Sequence, residues 1–178
     1  MNPLDSLFKD VLEIPVADFV QRYPDPVLVL EARGAFGRAD SFQTVRASGE
    51  RPAFAEAVLG SERPTLLPVR KRARSKFGNM ISVGRTASND VVVEHASVSK
   101  FHAYFLSRGE NAWHVQDANS SNGTFVDGKR VPTDVPVPVD DGAAVQFSQD
   151  TRYRFFRPAA LHRFLNDTLS RDNRPDAS

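Results

Sequence analysis

Cysteine is absent from this chain of 178 residues, and methionine (2) and tryptophan (1) are scarce. Without thiols there is no disulfide, no thiolate zinc site, no iron–sulfur cluster and no cysteine nucleophile. Charge of one sign is lacking as well: 23 Lys and Arg face 22 Asp and Glu, for a net charge of +1 with His neutral. No whole-molecule field draws such a chain to nucleic acid or to an anionic membrane, so binding of either kind needs a local patch. No apolar run approaches the roughly 18 residues of a membrane span. The N-terminal segment carries acids where a secretory signal carries basic residues, and Lys9, Asp10 and Glu13 interrupt its apolar positions. It reads as neither a signal nor a transit peptide, and the expected setting is cytoplasmic. His95, His102 and His114 show no metal-ligand spacing, so neither a metal nor a cofactor is expected.

What is present is an ordinary globular composition, 40% hydrophobic and 25% charged, enough for one good-sized core and a smaller annex. Asn2 and Pro3 form a helix start, and Leu4, Leu7, Phe8, Val11 and Leu12 recur at helical spacing until Pro15. A further turn or two runs from Val16 to Tyr23. Val27 to Glu31 reads as a buried strand, Ser41 to Arg46 as an alternating one, and Pro52 to Gly60 as a compact helix with its stop signal. From about Pro64 the period becomes 2, with short runs at Thr65–Val69, Met80–Val83, Asp90–Val93, His102–Leu106, Ala112–Asp117, Thr124–Val126, Ala143–Ser148 and Arg152–Phe156. That spacing suggests a β-sandwich. Asp127-Gly128 marks a hairpin, because a type I′ turn needs positive φ at both central residues. The proline-rich stretch from Val131 to Gly142 belongs on an edge or in a loop. Pro158 opens a last helix with Leu161, Phe164, Leu165 and Leu169 on one side, and the chain beyond about Arg171 is a tail.

Three clusters stand at strand ends: Val83 to Val93, Ser97 to Phe105 and Asp117 to Gly128. Each joins small hydroxyl or amide residues to a cation. An arginine fork, hydroxyls and an ammonium can donate together to an oxyanion, and an asparagine amide can hold a peptide backbone. Loops at one end of a sandwich can converge on a doubly charged group such as a phosphate. On the residues alone this reading and the plainer one, that these are turn-forming residues, stand about equal.

The order Gly84-Arg85, Asn89-Asp90, Ser99-Lys100-Phe101-His102, Ser121-Asn122-Gly123-Thr124 and Asp127-Gly128 resembles the forkhead-associated (FHA) domain family. The resemblance runs from about Pro64 to Arg157 and implies a β-sandwich that binds phosphothreonine in partner proteins. It implies that Arg85 clamps the phosphate, Ser99 donates its hydroxyl and Lys100 adds charge. Asn122 would hold the peptide backbone, with Ser121 lining the same loop. Gly84, His102 and Gly123 would shape the loops without touching ligand. Lys100 stands where arginine is common, and is a point charge rather than a planar fork. Asp127 replaces the usual asparagine before Gly128, and Ala143 stands where an acid is common. The implied partner is a phosphothreonine protein or peptide, a Ser/Thr kinase or a kinase substrate. The expected architecture is mainly β: an N-terminal α/β annex (1–62), the FHA sandwich (63–158) and a C-terminal helix with its tail (159–178).

Enzyme readings have little behind them. Gly123 to Lys129 fits the first seven places of a P-loop, but Arg130 stands where the magnesium-binding hydroxyl belongs, and the context is a hairpin. Ser97 to Lys100 has S-x-x-K spacing and Ser120-Ser121-Asn122 imitates a second motif of penicillin-recognising enzymes, whose third motif is missing. A Ser-His-acid triad arises by chance in any chain with four histidines. No catalytic activity is expected. The alternative function, nucleic-acid binding, rests on the basic run Arg70 to Lys76. Only Phe77 is on hand for base stacking there, so a solvated turn between two strands, or a rim that attracts acidic phosphopeptides, ranks above it. The acidic N-terminus, with Asp5, Asp10, Glu13, Asp18 and Asp25 against Lys9 and Arg22, suits docking on a basic surface, this run included.

Overall fold

The computed structural model describes residues 3–31, 65–73, 75, 78–109 and 112–172. Helices α1 (Pro3–Glu13) and α2 (Val16–Arg22) come first, separated by Pro15, whose extended backbone (φ −60°, ψ 153°) caps α2. Strand β1 (Val27–Leu30) follows, then β2 (Leu66–Pro68), β3 (Ile81–Gly84), β4 (Val91–Val92), β5 (Ala103–Ser107) and β6 (Trp113–Asp117). The hairpin β7 (Thr124–Val126) and β8 (Lys129–Arg130) turns through Asp127 (φ 49°) and Gly128 (φ 76°), the two positive angles that its sequence calls for. Strands β9 (Val137–Pro138), β10 (Ala144–Phe147) and β11 (Arg152–Phe156) precede α3 (Pro158–Asp172).

The chain is mainly β. Among the described residues, one sheet has six strands in the order β2-β1-β11-β10-β7-β8 and the other five in the order β4-β3-β5-β6-β9. Leu28, Val83, Phe105, Val115, Val145, Phe147 and Phe155 fill the space between them. The proline-rich stretch contributes only β9, at the edge of the five-stranded sheet, where a missing ladder donor costs nothing.

The N-terminal annex is not separate from the sandwich in its described part. Strand β1 lies inside the six-stranded sheet, with Val27 opposite Phe156 on one side and opposite Pro68 on the other. A boundary at residue 62 therefore cuts through a sheet. The uniform VLVL of β1 has its reason here: Leu28 faces the sandwich core, while Val27 and Val29 face a second apolar cluster with Leu7, Val11, Phe19, Phe156, Leu161 and Leu165. Helices α1, α2 and α3 thus cover the outer face of the six-stranded sheet, and a strand buried on both faces shows no alternation. His162 on α3 ties the layer together, with its ring edge-on to Phe19 and its Nε2 3.2 Å from the Ile14 carbonyl. At the end of β1, Glu31 is buried against Arg154 and Arg152 of β11. Burial raises the Glu31 carboxyl above its ordinary range, with the two guanidiniums pulling the other way. The strand expected at 41–46, the helix at 52–60 and the residues of the tail from 173 lie outside the described residues.

Two acids of the N-terminus find partners close by. Asp10 accepts from the Tyr23 hydroxyl (2.6 Å) and pairs with Arg22, and Glu13 lies near Lys9. One ion pair, Asp25 with Arg70 at 3.9 Å, joins it to the basic run.

Candidate functional site

Three loops meet beyond the C-terminal end of β3: residues 85–90, 93–102 and 118–123. They are joined by backbone and side-chain hydrogen bonds, while Val93 and Val98 anchor the second loop in the core. The Arg85 amide donates to the Ser99 carbonyl (3.0 Å), which links the first loop to the second. The Ser121 amide donates to the Ser99 hydroxyl (3.1 Å), and Asn122 Nδ2 donates to the Ser97 carbonyl (2.7 Å), which link the third to the second. All five residues expected to bind ligand, Arg85, Ser99, Lys100, Ser121 and Asn122, therefore sit on one connected rim. Ser99 is half-buried and the other four are exposed.

Their free valences face outward. Arg85 makes one long bond, from Nη1 to the Ala96 carbonyl (3.4 Å), which leaves most of its fork open. Asn122 uses one N–H on Ser97, so its Oδ1 and second N–H remain for another backbone. Lys100 is held through its main chain: its carbonyl accepts from Asn89 Nδ2 (2.6 Å) and from the Thr86 hydroxyl (3.0 Å), and the ammonium stays exposed.

The three residues expected to shape the loops have tight geometric reasons. A Cβ on Gly84 would stand 2.7 Å from Asn89 Nδ2 and closer still to the Lys100 carbonyl oxygen, so the first two loops approach only over a bare Cα. Gly123 has φ +82°, the left-handed region that glycine enters without strain. His102 is fully buried. Its Nδ1 accepts from the Ser99 amide (3.0 Å), which fixes the proton on Nε2, and Nε2 donates to the Gly123 carbonyl (3.2 Å). Burial depresses its pKa despite the Gly123 bond and the nearby Asp117 charge, so the ring is a neutral strut between the second and third loops.

Behind the rim, two acids order the loops. Asp117 accepts from the Ser120 amide and hydroxyl and from the Thr124 hydroxyl, which folds the third loop into its turn. Asp90 accepts from the amides of Arg72 and Ser82 and from the hydroxyls of Ser75 and Ser82. Burial works to raise the Asp90 pKa, but these donors outweigh it and hold the carboxyl below its ordinary range. Lys71, 3.6 Å from Asp90, spends its ammonium on the Met80 carbonyl and the Ser75 hydroxyl. The basic run is thus built into the sandwich at Lys71 and at the Arg72 backbone. Arg74 and Lys76 lie outside the described residues.

The family model of the FHA domain matches residues 81–148, which span all three loops and the strands that carry them. These residues form an FHA domain. Among curated relatives, the protein phosphatase 1 regulatory inhibitor subunit PPP1R8 homolog of Arabidopsis thaliana is 35% identical over 38% of this chain and 18% of its own length. The FHA domain-containing protein FhaB of Mycolicibacterium smegmatis is 35% identical over 43% of this chain and 48% of its own. This chain thus spans less than half the length of either relative. A solved structure of Mycobacterium tuberculosis EmbR in complex with a low affinity phosphopeptide aligns at TM-score 0.44 and 26% identity, over 56% of this chain and 23% of that one.

Around the FHA rim, sequence reasoning gave no role to Thr86, Ser97 or Ser148. Thr86 holds the Lys100 carbonyl, and the Ser97 hydroxyl bridges His95 Nδ1 and the Ser148 hydroxyl, each at 2.7 Å. Ser148 has φ 98°, a left-handed backbone in a non-glycine residue that no sequence signal marks. The P-loop imitation at Gly123 to Lys129 is strand β7 and its turn into β8, with no helix following.

Proposed function

We propose that this chain is a phosphothreonine-dependent protein–protein interaction module, serving as an adaptor or scaffold in Ser/Thr kinase signalling in the cytoplasm, and that it works by binding rather than catalysis. The observation that carries this reading is the single hydrogen-bonded rim that gathers Arg85, Ser99, Lys100, Ser121 and Asn122, with most of the Arg85 fork open, the Lys100 ammonium exposed and the Ser99 hydroxyl donating only a long bond to the Ser121 hydroxyl (3.4 Å), within a domain whose family is a phosphothreonine binder. A phosphate carrying nearly two negative charges at neutral pH meets the Arg85 fork and the Lys100 ammonium. The Ser99 hydroxyl gives a short neutral bond to the same group, and Asn122 offers its free Oδ1 and N–H to the peptide main chain on either side. Gly84, His102 and Gly123 fix the spacing of the loops, so little order has to be created when ligand arrives. Its partner is a phosphothreonine-bearing protein, either a Ser/Thr kinase or a kinase substrate.

Nucleic-acid binding through Arg70 to Lys76 is not favoured, because Lys71 is tied into the sandwich and Arg70 faces Asp25. The test is fluorescence anisotropy with matched peptides carrying phosphothreonine, phosphoserine or plain threonine. Each charge-assisted hydrogen bond contributes roughly 1.5 to 3 kcal/mol, so Arg85→Ala is expected to weaken phosphothreonine binding about tenfold to a hundredfold. Equal binding by Arg85→Ala and the unaltered protein overturns the reading.

A further inference from the structure

Arg130 is the residue that spoils the P-loop pattern, and nothing in the phosphate-binding reading uses it. It ends β8, the outermost strand of the six-stranded sheet, where both residues are exposed. A Cβ added at Gly123 would fall 3.0 Å from the Arg130 Cζ and 3.1 Å from Nε and Nη2, so the guanidinium fills the space that a side chain at 123 would take. Gly123 cannot satisfy it. The Gly123 carbonyl is turned inward to His102 Nε2 and the Ser148 amide, and its own amide donates to the Ser120 hydroxyl. The Arg130 backbone pairs with Phe125, but among the described residues its guanidinium has neither a hydrogen bond nor a carboxylate partner. The result is a guanidinium laid beside the residue next to Asn122, with its donors unspent. An arginine fork is planar and bidentate-capable, so a carboxylate arriving beside Gly123 meets donors of matching geometry.

We propose that Arg130 is a specificity-determining residue that selects ligands with an acidic side chain close to the phosphothreonine. This rests on the phosphothreonine reading. Arg85 and Lys100 serve the phosphate, and Arg130, across the Asn122-Gly123 segment, reads a carboxylate on the adjoining stretch of peptide. An ion pair at an exposed rim has a modest effect, about threefold to fivefold in affinity at low salt and less as salt rises.

The experiment uses the full chain and an alanine-rich phosphothreonine peptide in which one Asp is moved through the three positions on each side. A parallel set carries Lys at the same positions. Expected is one register at which Asp tightens binding about threefold to fivefold over Ala, with the gain lost in Arg130→Ala. Arg130→Glu should reverse the preference, so that Lys is favoured over Asp at that register. The reversal is a readout that a purely structural arginine would not give. An Asp gain that persists in both variants, or no Asp gain at any register while binding still depends on Arg85, overturns the proposal and leaves the phosphothreonine reading standing. Absence of Arg85-dependent binding by every peptide overturns both.

Discussion

His102 shows how one side chain can join two loops and at the same time make the protein sensitive to acid. Both ring nitrogens are used, Nδ1 as acceptor from Ser99 and Nε2 as donor to Gly123, and a second proton would break the first of these bonds. Its folded-state pKa lies below the ordinary 6.5, so the unfolded chain takes up the proton first. Stability from this residue is therefore complete above about pH 6.5 and is lost as pH falls through the lower, folded-state value. Urea melts from pH 7.5 to pH 5 are expected to show a stability loss of at most about 1.4 kcal/mol per pH unit from this group. His102→Gln should be less stable at pH 7.5 and should have a flatter slope. An unchanged slope would mean that the buried ring does not titrate on unfolding. Asp90 acts only at lower pH: its depressed pKa gives stability above its unfolded value that is lost in stronger acid.

At the scale of elements, the helical layer is part of what keeps the sandwich closed. The outer face of the six-stranded sheet presents Val27, Val29 and Phe156, and α3 buries them with Leu161 and Leu165. Leu165 is fully buried, so Leu165→Ala is expected to cost about 2 to 5 kcal/mol. Trp113 packs on the core between the sheets, away from that layer, and its fluorescence reports the sandwich separately from the helical circular dichroism. Both signals should move to lower urea together. A helical transition that moves while the Trp113 transition stays put would show that the layer unfolds on its own. The three described helices, the Asp127-Gly128 hairpin and most of the described strands were legible in the sequence, because each has a local cause: helical spacing, a turn pair with positive φ, or alternation. Membership of β1 in the sheet was not legible. Its partners lie about 40 and 125 residues away, and a strand buried on both faces carries no mark of which sheet it joins.

Across the whole molecule, near-neutral charge leaves recognition to the local rim rather than to a general field. The residue types on that rim were visible in three separated motifs, but alone they read equally well as turn formers, and it was the resemblance to the FHA family that singled out Arg85, Ser99, Lys100, Ser121 and Asn122. Their supports were not visible. Thr86 under the Lys100 carbonyl, Ser97 between His95 and Ser148, and Arg130 on Gly123 depend on which loops the sheets bring together. The same dependence explains why the basic run, read in the sequence as a solvated turn ahead of a nucleic-acid patch, is partly a structural anchor in the fold. The most direct measurement is an amide NMR titration of the chain with a phosphothreonine peptide and its unphosphorylated twin. Shifts confined to the loops that carry Arg85, Ser99, Lys100, Ser121 and Asn122, seen only with the phosphorylated peptide, are the expected result. Shifts centred on residues 70–73, or equal shifts with both peptides, would contradict the assignment of the rim as the phosphothreonine site.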